Sequence, residues 1–121
     1  MEIPKPSDSD KAYFRFLLND LSDAEIKPMF GNLGAFVNGN MFAGLFGSTV
    51  GVRVDDADRL SLQAIEGSGP FGPAERPMSG YVGLPLSWHD DPEQAVTWVE
   101  KAFSFVASLP PKASKPKPPG K

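Results

Sequence analysis

The chain contains no cysteine, which excludes a disulfide framework and any chemistry based on a thiolate. It also lacks an apolar run as long as a membrane span. The opening residues, 1–6, hold no apolar segment of the kind that signal peptides carry. These three absences fit a reducing compartment, and we expect a cytoplasmic protein that makes no membrane contact.

Signatures of cofactor and metal binding are missing as well. Despite twelve glycines, neither a G-x-x-x-x-G-K-[ST] nor a G-x-G-x-x-G pattern occurs. The acids Asp55, Asp56 and Asp58 begin like a calcium loop. Counted from Asp56, however, the sixth and twelfth positions are Ser61 and Gly67, where the loop requires glycine and glutamate. The sequence therefore predicts no cofactor, no metal and no catalytic residue set.

Basic charge is scarce outside the C-terminus. The net charge is −3 and the last twelve residues carry Lys112, Lys115, Lys117 and Lys121 without an acid, so the preceding part has a charge of −7. An acidic body lacks the basic face that is typical of DNA-binding domains. The tail, rich in proline and lysine, is predicted to be disordered or polyproline-like. Its lysines either bind nucleic acid or acidic membrane weakly or simply add solubility.

What remains is an ordinary globular composition, with 121 residues of which 40% are hydrophobic. This size predicts one domain, which we place at residues 9–109 between an arm at 1–8 and the tail at 110–121. The segment Lys27–Asp55 is apolar, rich in glycine and nearly free of charge. Within it, Asn38-Gly39 separates two apolar runs and predicts a type I′ hairpin.

Further strands are indicated on both sides of that hairpin. Residues 25–30 form a first strand, where Pro28 predicts an edge position or a bulge. Asn32-Leu33, bracketed by two glycines, indicates a tight turn or a bulge. Residues 66–73 indicate a loop because glycine and proline interrupt them, and residues 77–82 form a last strand.

Three helices complete the pattern. The first begins with Ser9 or Asp10 as its N-cap, and apolar residues recur after it at helical spacing. The second begins in the acidic run Asp55–Asp58. In the third, Asp91 is the predicted N-cap and Pro92 occupies the first helical position. The order predicts an α+β domain whose antiparallel sheet of about five strands is covered on one face by helices.

Two polar residues stand out as candidates. Arg53 alternates with Val52 and Val54, so its side chain leaves the opposite sheet face. It is either a solvent-facing residue paired with an acid or a bidentate anchor for an anionic partner. His89, the single histidine, is interpreted as a surface loop residue. One alternative is a general base, which would need a nucleophile and an orienting carboxylate nearby. The other is a metal ligand together with Asp90 and Asp91, although Asp91 is already explained as a helix cap.

Two sets of residues also allow more than one interpretation. One set is glycine, and its members are either turn, bulge and close-packing positions or a smooth surface for a ligand or partner strand: Gly31, Gly34, Gly39, Gly44, Gly47 and Gly51. The other set is aromatic, and its members are either core residues or a stacking platform for single-stranded nucleic acid: Phe30, Phe36, Phe42 and Phe46.

Several short motifs together resemble a known family. They are Pro28-Met29-Phe30-Gly31, Val37-Asn38-Gly39-Asn40-Met41-Phe42-Ala43, Val52-Arg53-Val54-Asp55, Pro70-Phe71, and Tyr81 followed by Leu84-Pro85. In this order they resemble the N-terminal domain of the TfoX/Sxy family over about residues 10–108. Asn32 and Arg53 stand where that family often has glycine and lysine.

The resemblance implies a secretion-chaperone-like α+β fold, a bacterial cytoplasmic protein and a link to the regulation of natural competence. It brings no established catalytic residues. We therefore expect a non-enzymatic module that binds a protein partner or a second copy of itself. A nucleic-acid-associated regulator is the alternative, and an enzyme using His89 is the least favoured. The candidate contact residues are Arg53, Tyr81, Asn32, Lys112, Lys115 and Lys117.

Overall fold

A computed structural model describes residues 5–29, 31–72 and 77–110. These residues form three α-helices and six β-strands, in chain order: α1 (Asp8–Leu17), β1 (Glu25–Met29), β2 (Asn32–Val37), β3 (Asn40–Phe46), β4 (Thr49–Arg53), α2 (Asp56–Gln63), β5 (Gly69–Pro70), β6 (Tyr81–Gly83) and α3 (Pro92–Ala107). A 3₁₀ helix, Leu86–Asp90, precedes α3. The α+β class predicted from the sequence is confirmed.

All strands belong to one antiparallel sheet with the order β1-β2-β3-β4-β6-β5. The first four strands form a meander, while β6 inserts between β4 and β5. The sheet has six strands rather than about five, because the segment interpreted as a loop contains the two-residue strand β5. The predicted last strand is shorter than expected and begins only at Tyr81.

The tight turns follow from local backbone chemistry. Asn38 and Gly39 have φ angles of 54° and 83°, as a type I′ turn requires, so the predicted hairpin is confirmed. Gly47 turns the chain between β3 and β4 with φ at 63°. The prediction of a turn at Asn32-Leu33 is wrong, because both residues lie inside β2 and Gly31, with φ at 83°, precedes them.

Helix α1 begins earlier than predicted, because Ser7 is its N-cap rather than Ser9 or Asp10. The Ser7 hydroxyl accepts a hydrogen bond from the Asp10 amide at 3.0 Å, and the Asp10 carboxylate accepts one from the Ser7 amide at 2.9 Å. This reciprocal pair is a capping box, which satisfies two backbone donors at once. Asp10 is therefore the third helical residue and not the cap.

The starts of the other two helices are close to the prediction. Asp55 caps α2 by accepting from the Asp58 amide at 2.8 Å. Pro92 occupies the first position of α3, as expected, but the Asp91 side chain does not bond to a helix amide. Its carboxylate accepts instead from the Gln94 side chain at 2.8 Å.

All three helices pack on the same face of the sheet, which confirms that part of the prediction. A register shift beside Phe36 leaves Phe42 without an opposite residue, and this bulge lets both Phe42 and Ala43 face the helices. The core contains Phe14 and Leu17 of α1 together with the sheet residues Leu33, Ala35, Val37, Phe42, Ala43, Leu45, Val50, Val52 and Val82 and residues of α2 and α3. Within the described residues, no helix has the length and apolar character needed to cross a membrane.

Candidate functional site: the open face of the sheet

We call the sheet surface opposite the helices the open face. Side chains alternate between the two faces of a strand, so this surface is formed by Glu25, Lys27, Met29, Asn32, Gly34, Phe36, Met41, Gly44, Phe46, Thr49, Gly51, Arg53, Gly69, Tyr81 and Gly83. It carries no helix, and it brings together several residues that the sequence singled out separately.

A row of glycines crosses the open face. Gly34 lies opposite Gly44, Gly44 opposite Gly51, Gly51 opposite Gly83, and Gly83 opposite Gly69. None of the five has a positive φ angle, so backbone freedom does not explain them. A glycine inside a strand also permits close approach of another group. The row is therefore a shallow channel across five strands.

Phe71 fills the middle of this channel. A Cβ added to Gly51 would lie 2.3 Å from Cγ and Cδ1 of Phe71, and one added to Gly44 would lie 3.1 Å from Cζ. At the β1 end, a Cβ on Gly34 would lie 2.7 Å from Sδ of Met29. Every glycine of the row except Gly69 is thus a close-packing position, whereas Gly31, Gly39 and Gly47 are turn positions.

A second row, apolar and half-buried, runs beside the glycines. Phe36 lies opposite Met41 on β2 and β3, and Arg53 lies opposite Tyr81 on β4 and β6. The Tyr81 hydroxyl donates to the Met41 carbonyl at 2.9 Å, which joins the two pairs across the sheet. The Tyr81 ring lies 6.1 Å from that of Phe71.

Arg53 is the cation at one end of this row. Its side chain leaves the open face as the alternation predicted, and the residue is half-buried. The acid partner that one interpretation expected is not found: among the described residues, the ion pairs are Lys27 with Glu25 and Arg59 with Asp56. Burial raises the pKa of Tyr81, and the neighbouring charge of Arg53 opposes that rise.

Lys27 is the second cation of the open face, and it lies on the edge strand β1 at the end of the glycine row, opposite Gly34. Its Nζ atom lies 3.8 Å from a Glu25 carboxylate oxygen and 5.0 Å from the centre of the Phe36 ring. Both the ammonium and the carboxylate are largely exposed, so the pairing is weak. Lys27 remains available for a stronger anionic group.

The other candidate contact residues lie elsewhere. Asn32 is buried, and its Oδ1 accepts from the Gly47 amide at 2.8 Å, which ties β2 to the β3–β4 turn. Lys112, Lys115 and Lys117 lie outside the described residues. Tyr81 lies inside the sheet rather than at its edge, because β6 pairs with β4 and β5. Pro28 has the edge position that the sequence predicts, because β1 is an edge strand.

The aromatic residues of the central segment do not act as one set. Phe42 is in the core, where its ring meets that of Phe103 edge-on at 5.2 Å. Phe36 and Phe46 lie half-buried on the open face, and Phe30 is outside the described residues. A continuous stacking platform is therefore not formed by the described members.

His89 is a structural residue rather than a surface loop residue. Its Nε2 atom lies 2.8 Å from the Ser48 carbonyl oxygen, and its ring stacks on Tyr13 with centroids 4.2 Å apart. The Tyr13 hydroxyl donates to the Trp88 carbonyl at 2.8 Å. The prediction of a loop is thus wrong, since His89 lies half-buried in the 3₁₀ helix and joins it to α1 and the β3–β4 turn.

The same cluster brings Ser48, His89 and Asp10 together, but His89 is not bonded to the serine hydroxyl as it would be in a catalytic triad. The Ser48 hydroxyl donates to the Asp10 carboxylate at 3.0 Å, while His89 contacts the serine carbonyl rather than its hydroxyl. Among the described residues, the base bonded to that hydroxyl is the Asp10 carboxylate, and its lowered pKa makes it a weak acceptor of the serine proton. Ser48 thus serves to join α1 to the β3–β4 turn.

Two groups of this cluster have shifted pKa values. Burial acts to raise the pKa of Asp10, but hydrogen bonds from Ser7 and Ser48 and the charge of His89 lower it overall. Burial, with a smaller contribution from the charge of Asp91, raises the pKa of Tyr13 to about 12. Both shifts follow from packing and hydrogen bonding.

A cavity of about 610 Å³ lies between α2 and strands β5 and β6, within the size range of ligand sites. Two of the polar side chains that line it are already paired, however. Arg59 contacts Asp56 at 2.6 Å, and the Ser68 hydroxyl donates to the Ile65 carbonyl at 2.8 Å. Residues 73–76, next to it in the chain, are outside the described part. In the described part, no three acids, histidines or cysteines are grouped to hold a metal ion.

Fold and site together define a small α+β domain with an open, glycine-lined sheet face. A family model described as the TfoX N-terminal domain matches residues 17–106. The chain belongs to this family, as the motif resemblance indicated, and the family is of a regulatory type. A search of curated proteins found no match.

Proposed function

We propose that this protein is a non-enzymatic regulatory module that acts by binding a protein partner through its open face. The observation that carries the proposal is the half-buried Arg53, without a carboxylate partner among the described residues, beside the apolar pair Phe36 and Met41. Membership of the TfoX N-terminal domain family supports a bacterial cytoplasmic setting and a role in regulating natural competence.

The contacts of the polar residues favour binding over catalysis. His89 and Ser48 are engaged in hydrogen bonds that hold α1 and the turns together. The open face instead combines aromatic, methionine and arginine side chains, and these residue types are enriched in protein interfaces. A binding role uses the half-buried part of the open face around Phe36, Met41 and Arg53, on which no helix of the described residues lies.

Self-association through the edge strand β1 is a second form of the same proposal. An edge strand presents backbone groups to another strand, and β1 is such a strand. Pro28 lacks one donor at its centre, which weakens pairing there. We therefore favour a different protein on the open face over a second copy at the edge.

Affinity capture from cells after in-cell crosslinking tests the proposal. Phe36→Ser changes the open face, and Leu60→Ser is its matched control, because Leu60 is 64% exposed on α2. We expect crosslinked partners to be lost with Phe36→Ser and kept with Leu60→Ser, with both variants folded by circular dichroism. An unchanged partner set with folded Phe36→Ser would contradict the proposal.

The alternative function is association with nucleic acid through the tail lysines and Arg53, which the competence link motivates. Fluorescence anisotropy with labelled single- and double-stranded DNA and RNA, at low and near-physiological salt, distinguishes it. The full chain is compared with a chain ending at Leu109. Binding that survives physiological salt and requires the tail supports this alternative. Binding that vanishes with modest salt in both chains leaves the protein partner as the proposal.

A further inference from the structure

We infer that the occupant of the open face is an extended, acidic peptide segment of the partner, with its carboxylates paired to Arg53 and Lys27. This inference rests on the proposed function, since it names the chemistry of the proposed partner.

The charge of the open face differs from that of the rest of the chain. The chain has a net charge of −3, yet the strand residues of this face include the cations Lys27 and Arg53 and a single acid, Glu25. Complementary charge directs partner choice and orientation more than it adds affinity. A locally cationic face on an acidic chain selects an anionic partner.

The surroundings of Arg53 suit recognition of a carboxylate. The side chain is half-buried beside Tyr81, whose hydroxyl is fixed to the Met41 carbonyl. A guanidinium that lies beside a fixed tyrosine side chain can donate hydrogen bonds to both oxygens of a carboxylate. This bidentate pairing is stronger than a neutral hydrogen bond. Phosphate would fit the same fork, but nucleic acid would also meet the acidic body of the chain.

The separation of the two cations indicates how the acids of the partner are spaced. Lys27 shares a row with Gly34, Gly44 and Gly51, three strand spacings away, and Arg53 is two residues further along β4. Neighbouring strands are about 4.8 Å apart and a strand rises about 3.3 Å per residue, so the Cα atoms of Lys27 and Arg53 are roughly 16 Å apart. In an extended peptide, residues i and i+4 face the same side, and their Cα atoms are about 13 Å apart. The long side chains of Lys27 and Arg53 can span the remaining difference of about 3 Å. An apolar residue at i+2 would then lie over Phe36 and Met41.

A second copy of the chain does not fit this surface. A symmetric dimer formed by two open faces would place the same patch on both subunits. Two cations on each subunit would then face a patch whose strand residues offer one acid, Glu25, so the charges of the two patches would not be complementary. The tail in residues 110–121 has only basic charged residues, so it does not complement the face either.

A pair of peptide pools tests the inference directly. The probes are fluorescein-labelled twelve-residue peptides with glutamate at i and i+4, a degenerate apolar residue at i+2 and mixed small residues elsewhere. The matched pool has glutamine at both positions. Anisotropy with the full chain at near-physiological salt should show binding of the glutamate pool at least about tenfold tighter, as expected for charge-assisted hydrogen bonds.

Arg53→Gln should reduce binding of the glutamate pool by about 10- to 100-fold. Arg59→Gln is the matched control, because Arg59 is on α2 and pairs with Asp56, and it should change binding by less than about twofold. Equal binding of both pools, unchanged binding by Arg53→Gln, or tighter binding of an oligothymidine of equal charge would each overturn the inference.

The two proposals fail separately. If the glutamate pool does not bind while crosslinked partners still depend on Phe36, the acidic chemistry is wrong and the protein-binding function stands. If the glutamate pool binds through Arg53 but no cellular partner depends on Phe36, the recognition site stands and the proposed use of the face in the cell is wrong.

Discussion

At the scale of single residues, Gly51 shows how a missing side chain determines the packing of the open face. A Cβ there would lie 2.3 Å from the Phe71 ring, and Phe71 is only 3% exposed. Gly51→Ala should therefore displace the ring and lower the free energy of unfolding by about 1–3 kcal/mol, the usual cost of overpacking. Urea denaturation followed by circular dichroism measures this change.

Gly69 provides the control for that experiment. It belongs to the same glycine row, but a Cβ on Gly69 would meet no atom within 4 Å. Gly69→Ala should change stability by less than about 0.5 kcal/mol. Equal losses of stability in Gly51→Ala and Gly69→Ala would show that the glycines are required by the strand backbone and not by the packing of the Phe71 ring.

Tyr13 predicts how stability depends on pH in the alkaline range. Its pKa is raised from 10 to about 12 in the folded state, so the folded protein holds the phenol proton more tightly than the unfolded chain. The stability from this effect is complete below pH 10 and is lost as the pH rises toward 12. Tyr81 shifts in the same direction, so it adds to the loss.

The variant Tyr13→Phe isolates the contribution of Tyr13. It lacks the hydrogen bond to the Trp88 carbonyl, so it should be less stable than the wild type at pH 9. As the pH rises from 10 toward 12, the Tyr13 phenol of the wild type loses its proton preferentially in the unfolded chain, which lowers the stability of the wild type. The variant has no such group, so the difference in free energy of unfolding between the two proteins should shrink. Urea unfolding at several pH values measures the gap, and a constant gap would contradict the pKa assignment.

Individual residues also show where sequence reasoning ends. The direction of the Arg53 side chain follows from alternation with its two valines, and the structure agrees. Whether Arg53 pairs with an acid depends on which strands become neighbours, which one sequence does not reveal; among the described residues it has no such pair. The glycine row is hidden for the same reason, because Gly34, Gly44, Gly51 and Gly83 are unevenly spaced and only pairing aligns them.

At the scale of elements, the start of α1 gives the clearest test. Ser7 and Asp10 form a capping box, whereas Ser9 is an exposed residue inside the helix. Ser7→Ala should lower the free energy of unfolding by about 1 kcal/mol, because an amide of the first turn loses its acceptor. Ser9→Ala, the matched control, should be neutral or slightly stabilising, because alanine favours helix. A larger loss with Ser9→Ala would contradict the assigned cap.

The elements that were predicted well are those with local causes. The hairpin at Asn38-Gly39 and the cap at Asp55 depend on a few neighbouring residues, and both are present. The α1 cap was misplaced because three polar residues compete for it, and only the reciprocal bond selects Ser7. The short strand β5 was missed because its two residues become a strand only by pairing with β6.

At the scale of the whole molecule, one core joins all the helices to the sheet. The hydrophobic cluster includes Phe14 of α1, Leu62 of α2 and Val99 of α3 together with residues of β2, β3, β4 and β6. Trp88 is buried in this cluster, and Trp98 packs against it. No helix therefore has a separate core on which it could remain folded alone.

This shared core predicts cooperative, two-state unfolding, which is usual for single domains of this size. Tryptophan fluorescence reports the packing of Trp88 and Trp98, and far-ultraviolet circular dichroism reports the helices and strands. In urea, the two signals should give the same midpoint and the same slope. Trp98→Phe leaves Trp88 as the single tryptophan, so its fluorescence should still follow the dichroism of that variant. A fluorescence change that precedes the loss of dichroism would show that α3 and the 3₁₀ helix can leave the sheet before the rest unfolds, against the single core.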